Sequence, residues 1–324
     1  MLGVIRQALP GQQDYPGGAF PLAYRSESEG AGLTDAIAWV RDNARAHLSE
    51  ASAHGAVLFR GFPLRSLEDF DLLVSAFDLP GFAYDDSLSN AVRVNHSKRV
   101  FSANEAPPEA TINLHHEMAQ TPLYPSRLFF YCQKPAEVGG ATSICRSDIL
   151  WERLLVEAPK FATACREKGL RYRHTMPEVE DPDSGMGRSW KSTFSASNRA
   201  EASERMLELG YTGEWLDDGC LRVTSPPLPA VRELGGGRTA FFNQLIAAFT
   251  GWRDRRNTPE ASILHGDGTP LDVAGAELAA SLGEQLSFDV VWEPGDMVLI
   301  DNLVTMHGRR TFQGTRSVLA SFAA

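Results

Sequence analysis

The stretch WEPGDMVLIDNLVTMHGRRTFQGTR, residues 292–316, alternates turn residues with short apolar runs. Pro294, Gly295 and Asp296 form a turn signal, since proline presets its own φ and glycine and aspartate suit tight bends. Met297 to Ile300 then reads as a short buried strand. Asp301 and Asn302 end it, and His307 and Arg316 follow. The same grammar recurs outward from this stretch. CLRVTS (220–225), TAFFNQ (239–244), FDVVW (288–292) and RSVLASF (316–322) read as strands, as do GAVLFRG (55–61), Thr111 to Glu117 and RLFFYC (127–132). EVGGAT (137–142) reads as a turn leading into another strand.

Helical spacing appears at Asp35–Leu48 with Thr34 as N-cap, and from Ser66, where Asp69 completes a capping pattern. It appears again at Asp148–Val156, Lys160–Lys168, Arg199–Leu209 (closed by Gly210) and Val273–Leu282. Short strands with helices at one end and in an insertion predict an α+β, mainly β fold. A β-sandwich or jelly roll with flanking and inserted helices satisfies the pattern. No repeat or linker divides the chain, so residues 1–324 are expected to form one domain. Two polar stretches, Phe82–Pro108 and Glu178–Lys191, read as long loops, and a lid or insertion is expected over roughly residues 175–215.

Composition narrows the function. The 324 residues are 43% hydrophobic and 22% charged, enough apolar material for a large core. A net charge of −10 without a Lys/Arg run argues against nucleic acid and anionic membranes as partners. It leaves a small-molecule substrate, and it leaves a homo-oligomer open. Cys132, Cys145, Cys165 and Cys220 lack CxxC spacing, which disfavours a zinc ribbon or a dithiol redox site and fits a reducing compartment. The N-terminal segment lacks a secretory pattern, and a cytoplasmic location is expected.

Residues 114–118 are Leu-His-His-Glu-Met. On a strand, alternate side chains share a face, so His115 and Glu117 project together and His116 points away. A His and a carboxylate so placed make a two-point chelate, and His307 is the best third ligand. Two imidazoles and one carboxylate on one face of an octahedron leave three positions open, the donor set of non-heme Fe(II) oxygenases. Rivals remain at this level. His116 could replace His115, and His265-Gly266-Asp267 has the same His-x-acid form, although its glycines place it in a turn. His47 and His54 read as surface residues, and His96 and His174 have no obvious partner.

Together, GAVLFRGF (55–62), NLHHEMAQTPLYPSRLFFYC (113–132), EVGGAT (137–142), HGDGTP (265–270) and the stretch 292–316 resemble the TauD/TfdA superfamily of Fe(II)/2-oxoglutarate-dependent dioxygenases. The resemblance runs from about Gly55 to the C-terminus. It implies a double-stranded β-helix, a jelly roll, holding Fe(II) through His115, Glu117 and His307. Thr142 and Arg316 become the partners of the 2-oxoglutarate carboxylate, and O2 is the third reactant. An arginine suits that place physically, because its planar fork matches a carboxylate better than an ammonium does. Oxidative decarboxylation would release succinate and CO2 while the substrate is oxidised.

Two departures refine the resemblance. The acid of the His-x-acid pair is Glu117 where many members have Asp, which is similar to the clavaminate synthase-like and SyrP-like branches. Those branches imply hydroxylation of an amino acid or amino-acid-like molecule in natural-product or secondary metabolism. Ala320 stands where the taurine-cleaving branch has an arginine, which argues against taurine, and the presence of Glu117 argues against halogenation. For the substrate, Arg93 is a candidate partner for a carboxylate and Glu105 for an amine, with Asn243 on a predicted core strand as a third candidate. Desaturation, epoxidation or cyclisation on the same scaffold is the alternative outcome. A non-catalytic jelly-roll binding protein is the reading from another class.

Overall fold

A computed structural model of the chain describes residues 2–28, 30–82 and 87–324. Its centre is a pair of sheets. The larger has seven strands in the order Val4–Arg6, Leu22–Ser26, Ala56–Arg60, Met297–Asp301, Arg127–Lys134, Ser317–Ala323 and Phe101–Ser102. Its pairings are antiparallel except that Leu22–Ser26 runs parallel to Ala56–Arg60. The smaller sheet orders Ser287–Val290, Thr142–Arg146, Thr305–Arg309 and Ile112–His115, all antiparallel.

The strand Met297–Asp301 lies in the middle of the larger sheet, and every residue in it is buried. Its inward side chains, Val298 and Ile300, join Leu128 and Phe130 against Ile144, Phe288 and Val290 of the smaller sheet. Its outward side chains, Met297 and Leu299, join Val57, Phe59, Phe129 and Tyr131 under the helices Leu33–His54 and Leu67–Ser75. Both faces are covered, so the strand reads as continuously apolar rather than alternating. Each such side chain contributes roughly 1.5–3 kcal/mol by leaving water. The site therefore stands on a rigid base.

A third sheet, Thr212–Trp215, Leu221–Thr224, Leu170–Met176 and Ile263–His265, builds the inserted region. With the helices Trp190–Thr193 and Arg199–Glu208 it has its own core of Met176, Trp190, Phe194, Met206 and Leu221. Arg188 ties it to the Phe82–Pro108 loop by donating to Ser87 O at 2.7 Å and Ser89 O at 3.2 Å. Residues 83–86 of that loop lie outside the described residues. No helix among the described residues is long and apolar enough to cross a membrane.

Several expectations need correction. The first helix is Leu33–His54 with Gly32 as N-cap, because the Asp35 carboxylate reaches back to the Gly32 N–H at 3.2 Å and draws Thr34 into the first turn. The strand expected over Thr111–Glu117 is only Ile112–His115. TAFFNQ is not a core strand. Arg238–Ala240 pairs only with Arg232–Gly235, and the chain then bends into the helix Leu245–Gly251. His47 is buried, bonded to Glu50 at 3.0 Å and packed among Tyr24, Trp39 and Phe59.

Candidate metal centre

His115 ends its strand directly opposite His307 on the neighbouring strand Thr305–Arg309. Their ring centroids are 4.3 Å apart. The pairing register shifts between His307 and Arg309, so the ladder is irregular beside the histidines. Beyond His115 the chain leaves the strand, and Met118 adopts a left-handed φ of 58°. The side chain of Asn302 fixes this departure. Its Oδ1 accepts from the Glu117 N–H at 2.8 Å, and its Nδ2 donates to Glu117 O at 3.1 Å and Pro125 O at 2.7 Å. Glu117 returns to the histidines, its Oε2 3.4 Å from His307 Nε2.

The result is one His–Glu–His cluster whose ligand atoms all lie within 4.8 Å of one another. His115 Nδ1 is bonded to Asn113 O at 2.8 Å, which leaves Nε2 for a ligand. Burial and the nearby His307 push the His115 pKa down to about 4, so the ring is neutral and can donate a lone pair. Burial alone would raise Glu117. Arg93 and the two imidazoles outweigh it and hold the carboxylate down to about 2, ionised and able to coordinate. Two imidazoles and a carboxylate suit iron(II) and leave half an octahedron free.

The rivals are placed elsewhere. His116 is fully buried, its Nδ1 bonded to Asn302 O and its ring 4.7 Å from that of Phe242. His265 ends a strand of the third sheet, and Asp267 pairs with Lys168 at 2.9 Å in the turn that follows.

Arg316 and Thr142 meet beside the cluster. Arg316 Nη2 lies 3.4 Å from Thr142 Oγ1, and its Nε donates to Gly140 O at 2.9 Å. Burial, aided by Arg309, lowers the Arg316 pKa to about 10, still leaving it a cation at neutral pH. Both residues line a small recess with His115 and His307. That recess shares Arg93, Asn104, Ile112 and His115 with a cavity of about 600 Å³ above Glu117. The cavity is walled by the 89–113 segment, by Asp181–Met186 of the insertion and by the Gly251–Arg255 turn. The structure thus brings His115, Glu117, His307, Thr142, Arg316 and Arg93 together.

The other two substrate candidates lie outside this cavity. Glu105 is exposed, between the lining residues Asn104 and Ala106. Asn243 is buried and spends its amide on Ala230 O at 2.9 Å and Leu245 N at 2.8 Å. Arg93 lines the cavity but is paired with Glu117 at 3.0 Å.

The sequence reading gave no role to Asn302 or Trp292, and left open whether Arg309 or Arg310 is a surface residue. Trp292 Nε1 donates to Thr142 Oγ1 at 3.1 Å. Arg309 is buried and holds the cavity wall through Ala106 O, Pro107 O and Ala110 O at 2.6–2.9 Å. Arg310, by contrast, lies partly exposed between Glu284 and Asp289. The signal for Asn302 was its place immediately after the central strand. No local pattern marks Trp292 or Arg309.

Comparison with known proteins agrees with this geometry. Residues 19–321 match the family described as "Taurine catabolism dioxygenase TauD, TfdA family". The chain is 37% identical to a clavaminate synthase-like protein of Arabidopsis thaliana, over 98% of each chain. It is 28% identical to the dapdiamide synthesis protein DdaC of Enterobacter agglomerans, over 82% of this chain and 81% of that one. The crystal structure of PvcB from Pseudomonas aeruginosa superposes with a TM-score of 0.53 at 14% identity, over 99% of this chain and 91% of that one, and so shares the fold.

Proposed function

The chain belongs to the taurine catabolism dioxygenase TauD, TfdA family, and from that premise we propose that it hydroxylates an amino acid or amino-acid-like molecule in secondary metabolism. It is a 2-oxoglutarate-dependent non-heme iron dioxygenase. We read its paired sheets as a double-stranded β-helix, its whole length as one domain, and its location as cytoplasmic.

His115, Glu117 and His307 would hold Fe(II), and Thr142 with Arg316 would hold the distal carboxylate of 2-oxoglutarate. Bound there, the iron would supply activation of O2, one oxygen atom going to the hydroxylated substrate and the other to succinate as 2-oxoglutarate loses CO2. The protein's own share is placement. Asn302 orients Glu117, and the Asn113 carbonyl fixes the tautomer of His115. Arg316 would read the distal carboxylate in a small recess of about 40 Å³ that Thr142, His115 and His307 also line. The substrate would lie in the larger cavity, where Asn90, Asn104 and Gln244 offer amides, Asp183 and Arg253 offer charges of both signs, and Trp252 offers an apolar wall. Such a mixture suits a zwitterion. The names of the two relatives, clavaminate synthase-like and dapdiamide synthesis, fit the same substrate class.

The observation that carries the reading is the convergence of His115, Glu117 and His307 within 4.8 Å beside the Arg316–Thr142 recess. The test is succinate formation from 2-oxoglutarate with Fe(II) in air, across a panel of amino acids and their conjugates. Stimulation by a panel member, with a hydroxylated product, is expected. His307→Ala should abolish it while the fold survives. Glu117→Ala should abolish it too, at an added stability cost of roughly 3–5 kcal/mol because it strands the buried Arg93. Full turnover in either variant would remove that residue from the iron site. A folded, iron-loaded protein that neither binds 2-oxoglutarate nor makes succinate would overturn the reading.

A further inference from the structure

Glu117 has a second partner that the proposed reaction does not use. Arg93 Nη2 donates to Glu117 Oε1 at 3.0 Å and to Oε2 at 3.0 Å. An atom equidistant from both oxygens lies on the plane that bisects the carboxylate. A metal held by both oxygens must lie on that plane too, at the same open end of the group. The guanidinium and such a metal cannot share the place. His307 Nε2, at 3.4 Å, faces Oε2. The open direction for coordination is therefore the flank of one oxygen.

We propose that Arg93 is a positioning residue that confines Glu117 to one-oxygen coordination of the iron and so keeps a coordination position free for the cosubstrates. The inference rests on the iron site proposed above. Two imidazoles and one carboxylate oxygen leave three positions, enough for the two oxygens of a 2-oxo acid and for O2. A two-oxygen carboxylate would leave only two, and the cosubstrates would compete for them.

The surroundings of Arg93 fit a fixed support better than a substrate contact. Its side chain is 4% exposed and that of Glu117 3%. The guanidinium lies over the rings of Phe101 and Phe322, at 5.5 and 5.1 Å, and those rings pack edge to face at 4.7 Å. The next residue is pinned on both sides, Val94 N to Ser102 Oγ at 2.9 Å and Ser102 N to Val94 O at 2.9 Å. A substrate carboxylate would have to compete with Glu117 for this group. That revises the sequence expectation, which gave Arg93 to the substrate.

The experiment uses the Mn(II)-loaded full chain. Mn(II) titration of wild type and His307→Ala tests the metal site itself. Metal-minus-apo infrared difference spectra then read the separation between the antisymmetric and symmetric carboxylate stretches, wide for one-oxygen binding and narrow for two. Wild type should show the wide separation, Arg93→Met the narrow one, and Arg93→Lys, which keeps a charged donor, the wide one. Arg93→Met should also bind 2-oxoglutarate about tenfold more weakly, within the range usual for loss of a ligand's support. A narrow separation in wild type, or an unchanged wide one in folded Arg93→Met, overturns this inference alone. If Arg93→Met does not fold, the wild-type and Arg93→Lys spectra decide. Failure of wild type to bind Mn(II), or binding undiminished in His307→Ala, overturns the iron-site reading and this inference with it.

Discussion

Asn302 grips the main chain of Glu117 on both sides, accepting its N–H at 2.8 Å and donating to its carbonyl at 3.1 Å. The amide lies immediately after a fully buried central strand, whereas Glu117 lies beyond the end of its own strand. The clamp thus transfers the rigidity of the sheet to a ligand that has no ladder hydrogen bonds to hold it. Asn302→Ala should weaken Mn(II) binding roughly 10- to 100-fold, the usual effect of losing a group that orients a ligand. It should also lower stability by about 1–3 kcal/mol, because three backbone groups, Glu117 N–H, Glu117 O and Pro125 O, lose their partner. Isothermal titration and urea melts measure the two effects. Wild-type metal affinity in the folded variant would show that Glu117 finds its place unaided.

Arg316 is expected to act on 2-oxoglutarate and not on the metal. It stands in the recess with Thr142, its Nη2 3.4 Å from that hydroxyl, and its Nε donates to Gly140 O. Removing a charged, planar donor from a buried carboxylate site loses hydrogen bonds of about 1.5–3 kcal/mol each. Arg316→Ala should therefore raise the 2-oxoglutarate KM about 10- to 100-fold, with Mn(II) affinity unchanged. Arg316→Lys should recover part of the loss, since it keeps the charge but not the fork. An unchanged KM in Arg316→Ala would remove the residue from the cosubstrate site.

The donor types were legible in the sequence because strands, turns and metal ligands have local signatures. The stretch 292–316 contains the central strand, the clamp and two site residues within 25 positions, so it reads without long-range information. The His115–Glu117 alternation names the pair that the structure gathers beside His307, but by an incomplete route. The strand stops at His115, and Glu117 arrives by a turn that Asn302 holds. What escaped was set by contacts remote in sequence. Asn243 reads as a strand residue because TAFFNQ is aromatic and β-branched, yet its amide caps the bend before Leu245–Gly251. His47 reads as a surface residue, yet Glu50 and the rings of Tyr24, Trp39, Phe59 and Phe77 bury it. Tertiary packing overrides propensity in both cases.

Asp148 gives the fold a pH dependence of definite sign. Its carboxylate receives Arg146 at 2.6 and 2.7 Å and Arg238 at 2.8 and 3.0 Å, in the first turn of the helix Ser147–Glu157. Burial alone would raise its pKa, but the two guanidinium groups outweigh burial and lower it. The unfolded chain then takes up the proton first as pH falls. The stabilisation is complete above the unfolded pKa of about 3.9 and is lost as pH falls through the lower native value. Asp148→Asn should destabilise by roughly 3–5 kcal/mol at pH 7, since it leaves two cations without their counter-ion. That difference should shrink below about pH 4. Urea melts of both proteins across pH 3–7 check it. A difference that is constant with pH would mean that shape, not charge, accounts for the loss.

Gly308 sits between His307 and the buried Arg309, where the small sheet shifts register. A Cβ added there would lie 2.4 Å from Ile112 O and 2.8 Å from Ser143 Oγ. The serine hydroxyl can rotate aside, but the carbonyl belongs to the strand that carries His115. Relief of the clash must move Ile112–His115 away from Thr305–Arg309. That movement separates the two histidines, whose rings are now 4.3 Å apart. The larger sheet is not involved, because the clash falls on the outer pair of the smaller one. Gly308→Ala should therefore lose Mn(II) affinity far more than it loses stability. Affinity should fall at least tenfold, the scale of an ångström-level misplacement of a ligand. Stability should fall by about 1–3 kcal/mol, the cost of forcing an extra carbon into a packed site. Metal titration beside urea melts separates the two. Equal metal affinity in Gly308→Ala would show that the sheet absorbs the extra carbon elsewhere and that the histidine pair does not depend on this close approach.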